Sequence, residues 1–441
     1  MRIIDIEIRN FRGFSERHFD LDPRMNVVLG DNTAGKTTLL HAVQIALGAY
    51  LQELTLVSGC ARNCKDSDTV RTYSELTKSF QKQPDKPSFE VNASVTEADY
   101  DFHTRQYRER ERAVRWSRRS VRNSRKNAGE LMDFVAGMER KRRSADETGV
   151  VSVMPLMLSF GASRLEKNYN GAEKTKARAS REEKAYKCAL DEAVDFRSAF
   201  DWIYRYDREL AKGREFEGTD TAFLEALRVA VPALKQIEID RKNNEFAAQI
   251  QMARDASPRW LTYDMMSAGF KAMINIAAEI AYRCVELNGF LGAEAVRKTP
   301  GIVMVDEVDL YLHPHWQQHV LSDLQRAFPR MQFIVTTHSP FIVQSVASRN
   351  VITLDGVKGD SDPNKRSIEE IALSEMNMDT VRSAKYERMV EMAERYYQLV
   401  KADKGDTEEA RCAKRELDEI EAQFSDDPAY VALLRAERKA V

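Results

Sequence analysis

Gly30-Asp31-Asn32-Thr33-Ala34-Gly35-Lys36-Thr37 follows the apolar run Met25-Asn26-Val27-Val28-Leu29 and leads into Thr38-Leu39-Leu40. The spacing is G-x-x-x-x-G-K-T. Glycines at the two ends of such a turn let backbone N–H groups close around phosphate oxygens. The lysine that follows reaches the β and γ oxygens, and the next hydroxyl ligates Mg²⁺. The β-branched run before the loop reads as a strand buried on both faces, so the fold class is α/β with a parallel sheet. After the loop, Leu39, Leu40, Val43 and Leu47 recur at helical spacing, and Gly48 reads as the stop. That helix directs its positive dipole end at the phosphates. Residues Gly30, Asp31, Asn32, Thr33, Ala34, Gly35, Lys36, Thr37 and Thr38 are therefore the expected cradle of a nucleoside triphosphate and its Mg²⁺.

The whole chain sets bounds on what surrounds this loop. With 441 residues, 43% of them hydrophobic, it has core enough for two or three domains. Lys and Arg total 67 against 69 Asp and Glu, which excludes a general polycation. No apolar run approaches the ~20 residues that span a bilayer. The start, with Ile3, Ile4, Ile6 and Ile8, reads as a strand and not as a leader, so a cytoplasmic protein without membrane contact is expected. Five cysteines do not make a disulfide framework, and Cys60 and Cys64 lack two further zinc ligands, so free thiols are expected. Charge is uneven locally. From Arg105 to Lys126 the acids are only Glu109 and Glu111, and Arg140-Lys141-Arg142-Arg143 forms a second basic knot. Two readings stand: a solvated hairpin or helix face, or a surface that tracks nucleic-acid phosphates, with Tyr107 and Trp116 set among the arginines.

A second apolar strand, Gly301-Ile302-Val303-Met304-Val305, ends in Asp306-Glu307. Acids at the carboxyl end of a strand stand where an α/β sheet places its ligand chemistry. Asp306 is positioned to share the Mg²⁺ with Thr37, and Glu307 to polarise the attacking water. Phe333-Ile334-Val335-Thr336-Thr337 delivers His338 to the same edge, facing the γ-phosphate or the water. Between them, His313-Pro314-His315-Trp316-Gln317-Gln318-His319 invites a metal reading. Pro314 in the first turn of a helix explains the segment more simply.

Together these segments resemble the Walker A, Walker B, D-loop (Asp309) and H-switch of ABC-type P-loop ATPases, in the branch of the structural-maintenance, RecF and OLD proteins. Ile8-Arg9-Asn10-Phe11-Arg12-Gly13-Phe14 resembles that branch's opening strand. Met266-Ser267-Ala268-Gly269-Phe270 is similar to its signature loop, ahead of a helix bearing Met273, Ile274, Ala277 and Ile280. The resemblance implies ATP as the nucleotide and adds Arg12, Ser267 and Gly269 to the binding set. Ser267 and Gly269 would serve the γ-phosphate of a second copy, so a dimer or higher oligomer with composite sites is implied. The sequence departs from the pattern at Thr33 (usually glycine), Met266 (leucine) and Phe270 (glutamine), and no Q-loop is placed.

More narrowly, Asp306 through Gln318 and Phe328 through Pro340 resemble the PtuA-type ATPases of Septu and retron anti-phage defence. That kinship implies an ATPase that senses or regulates, working with a separate nuclease subunit of HNH type, and no nuclease activity in this chain. Two other readings are a RecF-like repair ATPase acting on DNA directly, and a scaffold locked by ATP with little turnover. The expected architecture is an ABC-type head with a central insertion and a C-terminal helical tail. Residues 1–100 would form the N-terminal lobe, 101–235 an inserted basic and helical region, 236–355 the C-terminal lobe, and 356–441 a tail for assembly or partner binding. In that tail Met389, Ala393, Tyr396, Tyr397 and Val400, then Ala410, Ala413, Leu417, Ile420 and Phe424, recur at helical spacing. Gly405-Asp406 with Glu409 reads as a stop followed by a capping box. The stripe fits either a helical hairpin packed on its own core or pairing with another chain.

Overall fold

In the computed structural model the described residues are 1–119, 123–164, 179–191, 196–210, 217–240, 245–252, 257–355, 362–381, 383–402, 404–405 and 407–421. They fall into two compact units, Met1–Asn377 and Met378–Val441. At the centre of the larger one is a five-stranded sheet in the order Val351–Thr353, Met25–Leu29, Met331–Thr336, Gly301–Val305, Leu156–Phe160. All four neighbouring pairs run parallel. The middle strands are buried on both faces, which is why they read as unbroken apolar runs. Register decides the chemistry: Val305 pairs with Val335 and with Phe160, while Thr336 pairs with Val28. Asp306, Thr336 and the start of the phosphate loop therefore emerge at one sheet edge.

A second, antiparallel sheet runs Phe14–Asp20, Arg2–Phe11, Ser88–Asp101, Gln106–Arg118, with Val150–Ser152 also on Ser88–Asp101. The helix Lys36–Glu53 packs against both sheets, so it is buried almost all round and its apolar positions exceed one stripe. It also runs through Gly48, which the sequence marks as its stop. Gly48 instead clears space, since a Cβ there would collide with the Arg118 guanidinium and the Arg62 carbonyl.

Arg118 uses that space to donate to the Ile45 carbonyl at 2.6 Å and to Asn63 Oδ1 at 2.6 Å. Burial pushes its guanidinium down to about 10. Trp116 is likewise internal, its indole N–H donating to the Ala46 carbonyl at 3.0 Å. The alternation of a strand explains both: at the end of this strand Val114, Trp116 and Arg118 are buried on one face. On the other face Arg115 and Arg119 pair with Glu90 and Glu109 with Arg330, while Arg112, exposed further along the strand, pairs with Glu97. Tyr107 lies beneath Lys298, whose Nζ is 5.1 Å from the ring centroid.

Residues 101–235 thus supply three strands to these sheets, Gln106–Arg118, Val150–Ser152 and Leu156–Phe160, along with helices Arg125–Arg143, Arg181–Tyr186, Phe196–Leu210 and Thr219–Ala230. The apolar stretch 151–160 is broken in the middle because Asn288 bonds both the N–H and the carbonyl of Met154, each at 2.9 Å. Most of the charged stretch 170–185 lies outside the described residues. A third, antiparallel sheet of Leu234–Asp240, Glu245–Ile250 and Arg259–Thr262 leads to the helix Ala268–Asn288. Two helices follow the acids, Pro314–Gln317 and Val320–Ala327.

The second unit holds helices Ala384–Lys401 and Glu408–Glu421, packed together through Met389, Ala393 and Leu417 with Met392 and Tyr396. Thr407 caps the second helix, its Oγ1 accepting from the Ala410 N–H at 3.3 Å. Asp406, Phe424 and the Ile420 side chain lie outside the described residues. All five cysteines are free thiols. Among the described residues no helix is long and apolar enough to cross a membrane.

Arg118 and Arg115 give a direct comparison. Removing Arg118 leaves buried acceptors unpaired, so Arg118→Ala is predicted to lower the unfolding free energy by about 2–3 kcal/mol in denaturant titration. Arg115→Ala, which breaks an exposed pair, is predicted to change it by less than about 1 kcal/mol. Equal, small changes would contradict the internal placement of Arg118.

Candidate active site

The phosphate loop is shaped by three residues with positive φ: Gly30 at 151°, Thr33 at 82° and Gly35 at 106°. Gly35 is required twice over. Its backbone angle disfavours side chains, and a Cβ would stand 2.7 Å from the ring of Phe14 in the neighbouring hairpin. Thr33 holds the position where the family pattern has glycine and adopts the glycine-like angle regardless, a strain of about 1–3 kcal/mol. Lys36 Nζ donates to the carbonyls of Gly30 at 2.7 Å and Asp31 at 2.9 Å. Burial lowers its pKa, opposed by the carboxylates of Asp306, Asp31, Asp355 and Glu307. Ala34 N–H closes the turn on the Asp31 carbonyl at 3.1 Å, and Asp31 N–H donates to Asp355 Oδ2 at 3.1 Å. Asn32 and Thr33 are exposed and Thr38 is half-buried.

Arg12 sits beside this loop at the turn between the first two strands. Its Nε donates to Asp68 Oδ1 at 2.9 Å, and its guanidinium also meets His41 Nδ1 on the phosphate-loop helix. The opening strand is thereby tied to the helix.

Across the sheet edge, Thr37 Oγ1 donates to Asp306 Oδ2 at 3.0 Å. Thr336 Oγ1 donates to the other oxygen, Asp306 Oδ1. The Thr336 hydroxyl also accepts from the Glu307 N–H at 2.8 Å. Glu307 is half-buried with φ at 49°, so its carboxylate leaves the strand direction at a sharp turn. Asp309 accepts from Thr337 Oγ1, which in turn accepts from the Ser339 N–H at 2.9 Å. Ser339 Oγ donates to Gln317 Oε1 at 2.6 Å, and Gln317 donates to the Leu312 carbonyl at 2.9 Å. His338 is exposed and lines a cleft with Gly30, Asp31, Asp355 and Asn377. A hydroxyl and a carboxylate converging on one point offer hard oxygen ligands of the kind that suit Mg²⁺.

Arg164 completes the edge and was not singled out by sequence reasoning. It donates to the carbonyls of Asp306 at 2.7 Å and Glu307 at 2.8 Å. Burial lowers its pKa against the pull of Asp309, Glu307 and Asp306. The only signal was a Gly161-Ala162-Ser163-Arg164 turn closing an apolar strand, and backbone carbonyls as partners leave no mark in sequence.

Ser267 caps the helix Ala268–Asn288, its Oγ accepting from the Phe270 N–H at 3.5 Å, and is exposed. Gly269 is buried against the Tyr311 carbonyl, 2.7 Å from where a Cβ would sit, and Phe270 packs edge-on against Trp316 with centroids 4.3 Å apart. The turn after Asp306-Glu307 is thus in direct contact with the helix Ala268–Asn288. Pro314 does lie in the first turn of a helix, with His313 as its cap.

A phosphate loop, two acids after the next strand but one in the sheet and a histidine after the strand between them define a P-loop ATPase fold. The chain belongs to the AAA-domain family, whose sequence model matches residues 5–254; a second AAA-domain model matches residues 180–344. It is similar to the Retron Vc95 probable ATPase of Vibrio cholerae serotype O1 biovar El Tor, with 24% identity over 400 residues, 80% of this chain and 73% of the relative. It is similar also to the Retron Ec83 probable ATPase of Escherichia coli, with 22% identity over 480 residues, 93% of this chain and 82% of the relative. The Septu protein PtuA of Bacillus thuringiensis is 34% identical over 140 residues, 28% of this chain and 34% of its own. Among solved structures, an Smc head bound to the C-winged helix domain of ScpA aligns with 80% of this chain and 94% of its own at TM-score 0.42 and 15% identity.

Gly35→Ala is predicted to weaken nucleotide binding about tenfold to a hundredfold, the equivalent of 1–3 kcal/mol of backbone strain. Titration with a fluorescent ATP analogue measures it. Phe14→Ala in the same chain should not restore binding, because the positive φ persists; full restoration would show that crowding alone matters.

Proposed function

We propose that this chain binds ATP with Mg²⁺ and hydrolyses it at sites completed between two copies, and that this cycle regulates a separate nuclease in prokaryotic anti-phage defence. The observation that carries the proposal is the meeting of Thr37 Oγ1 and Asp306 Oδ2 at 3.0 Å beside Lys36, residues far apart in sequence. Thr37 and Asp306 would hold Mg²⁺, which when bound supplies positive charge to the phosphate oxygens. Lys36 exchanges the loop carbonyls it now holds for β and γ oxygens. The loop N–H groups and the helix dipole receive the remaining negative charge. Glu307 accepts a hydrogen bond from the attacking water and draws off its proton as the γ-phosphoryl departs. His338, exposed in the cleft beside Gly30, contacts the γ-phosphate.

Ser267 and the Gly269 N–H, at the N-terminus of a long helix, suit an anion, and Ser267 faces solvent. In this reading they serve the nucleotide of the second copy. Kinship with retron ATPases and with PtuA supports the defence role, and the proposal extends it to a separate HNH-type nuclease as the partner and a cytoplasmic site of action. The unit Met378–Val441 serves assembly or partner binding. The exposed arginines at 105, 108 and 110 are candidates to meet nucleic acid in this reading.

Glu307→Gln is predicted to abolish phosphate release while leaving ATP affinity within about twofold, because the phosphate cradle and metal ligands remain. Parental turnover would show that Glu307 is not the base. Composite sites have their own test. Ser267→Arg and Lys36→Ala chains should each be nearly inactive, yet regain activity when mixed under conditions of subunit exchange. Full activity of Ser267→Arg alone would overturn the shared site.

A further inference from the structure

Glu307 holds a left-handed backbone angle without being glycine, so its carboxylate direction depends on what fixes the peptides on either side. On the amide side Thr336 Oγ1 accepts its N–H. On the carbonyl side stands Arg164, 5% exposed, whose two terminal nitrogens divide between consecutive carbonyls: NH1 on Asp306 and NH2 on Glu307. Among the described residues no carboxylate forms an ion pair with Arg164. A buried guanidinium is costly to desolvate, and here its rigid fork is directed to the one turn that carries both acids.

The bracket that presents Arg164 is itself fixed. Gly161 O accepts both the Arg164 N–H and its NH1, each at 3.3 Å, and the Asp306 N–H continues the parallel ladder onto Phe160 O at 2.8 Å. The strand Leu156–Phe160 and its terminal turn therefore form a stop behind the acids.

We infer that Arg164 is a positioning residue for hydrolysis: its fork, opposed by Thr336, sets where the Glu307 carboxylate stands relative to the attacking water. This deepens, and rests on, the assignment of Glu307 as base. A lysine offers one point charge where two consecutive carbonyls need a fork, so it should restore only part of the function.

The test is steady-state ATP hydrolysis by Arg164→Lys and Arg164→Ala beside Glu307→Gln, with ATP affinity measured separately by fluorescent nucleotide. A positioned base contributes about 10²–10⁴ in rate, so Arg164→Ala should lose about a hundredfold in kcat and Arg164→Lys about tenfold, with ATP affinity within about twofold of the parent. Added guanidinium ion should restore part of kcat in Arg164→Ala and none in Glu307→Gln, a rescue that general loosening of the fold would not give. If Arg164→Ala does not fold, Arg164→Lys carries the test through its kcat and affinity. Parental kcat in the Arg164 variants beside an inactive Glu307→Gln would overturn the inference and leave the base assignment standing. A loss of ATP affinity equal to the loss of kcat would also overturn it. Parental turnover by Glu307→Gln would remove the base assignment and the inference together.

Discussion

The contact between the Thr37 hydroxyl and the Asp306 carboxylate organises this molecule. It exists because two parallel strands, Met25–Leu29 and Gly301–Val305, flank Met331–Thr336 in one register and end together. Parallel strands need long crossovers, and those crossovers are covered by helices and by the second sheet. The sequence between the loop and the acids can therefore be long and varied while the two stay 3.0 Å apart. A slip of one residue between Gly301–Val305 and Met331–Thr336 would turn Asp306 to the opposite face and separate it from both threonines.

Around that contact the sheet edge uses hydroxyls as connectors. Thr336 touches both Asp306 and the Glu307 amide, and Thr337 touches Asp309 and the Ser339 amide. Each threonine thus links an acid of one strand end to a backbone group nearby. Asp306 and Asp309 are held by neutral hydroxyl donors. The same turn reaches the helix Ala268–Asn288 through the Tyr311 carbonyl at Gly269 and through Trp316 on Phe270. A change at the acids thereby has a short mechanical route to the helix that carries Ser267.

Much of this was legible in the sequence, for a physical reason. Strands buried on both faces must be apolar throughout, and a loop that wraps phosphate must place glycine, lysine and a hydroxyl at fixed spacing, so residues 25–40, 301–307 and 333–338 announced themselves. What stayed hidden depends on partners distant in sequence. Gly48 reads as a helix stop by local rules, but is small to admit Arg118 from another strand. Trp116 and Arg118 read as surface beside their basic neighbours until strand alternation turned them inward. Arg164 bonds backbone carbonyls, which every residue has. The turn Gly161–Arg164 stands beside the acids.

The central claim is that Thr37 and Asp306 together form the metal and nucleotide centre. Titration of Mn²⁺ in place of Mg²⁺, followed by electron paramagnetic resonance with ATP present, tests it most directly. The account predicts one tightly bound Mn²⁺ per chain that depends on ATP, with affinity lowered about tenfold or more by Asp306→Asn and by Thr37→Val, the equivalent of at least 1.4 kcal/mol. Mn²⁺ bound equally well by the parent and by both variants would contradict it.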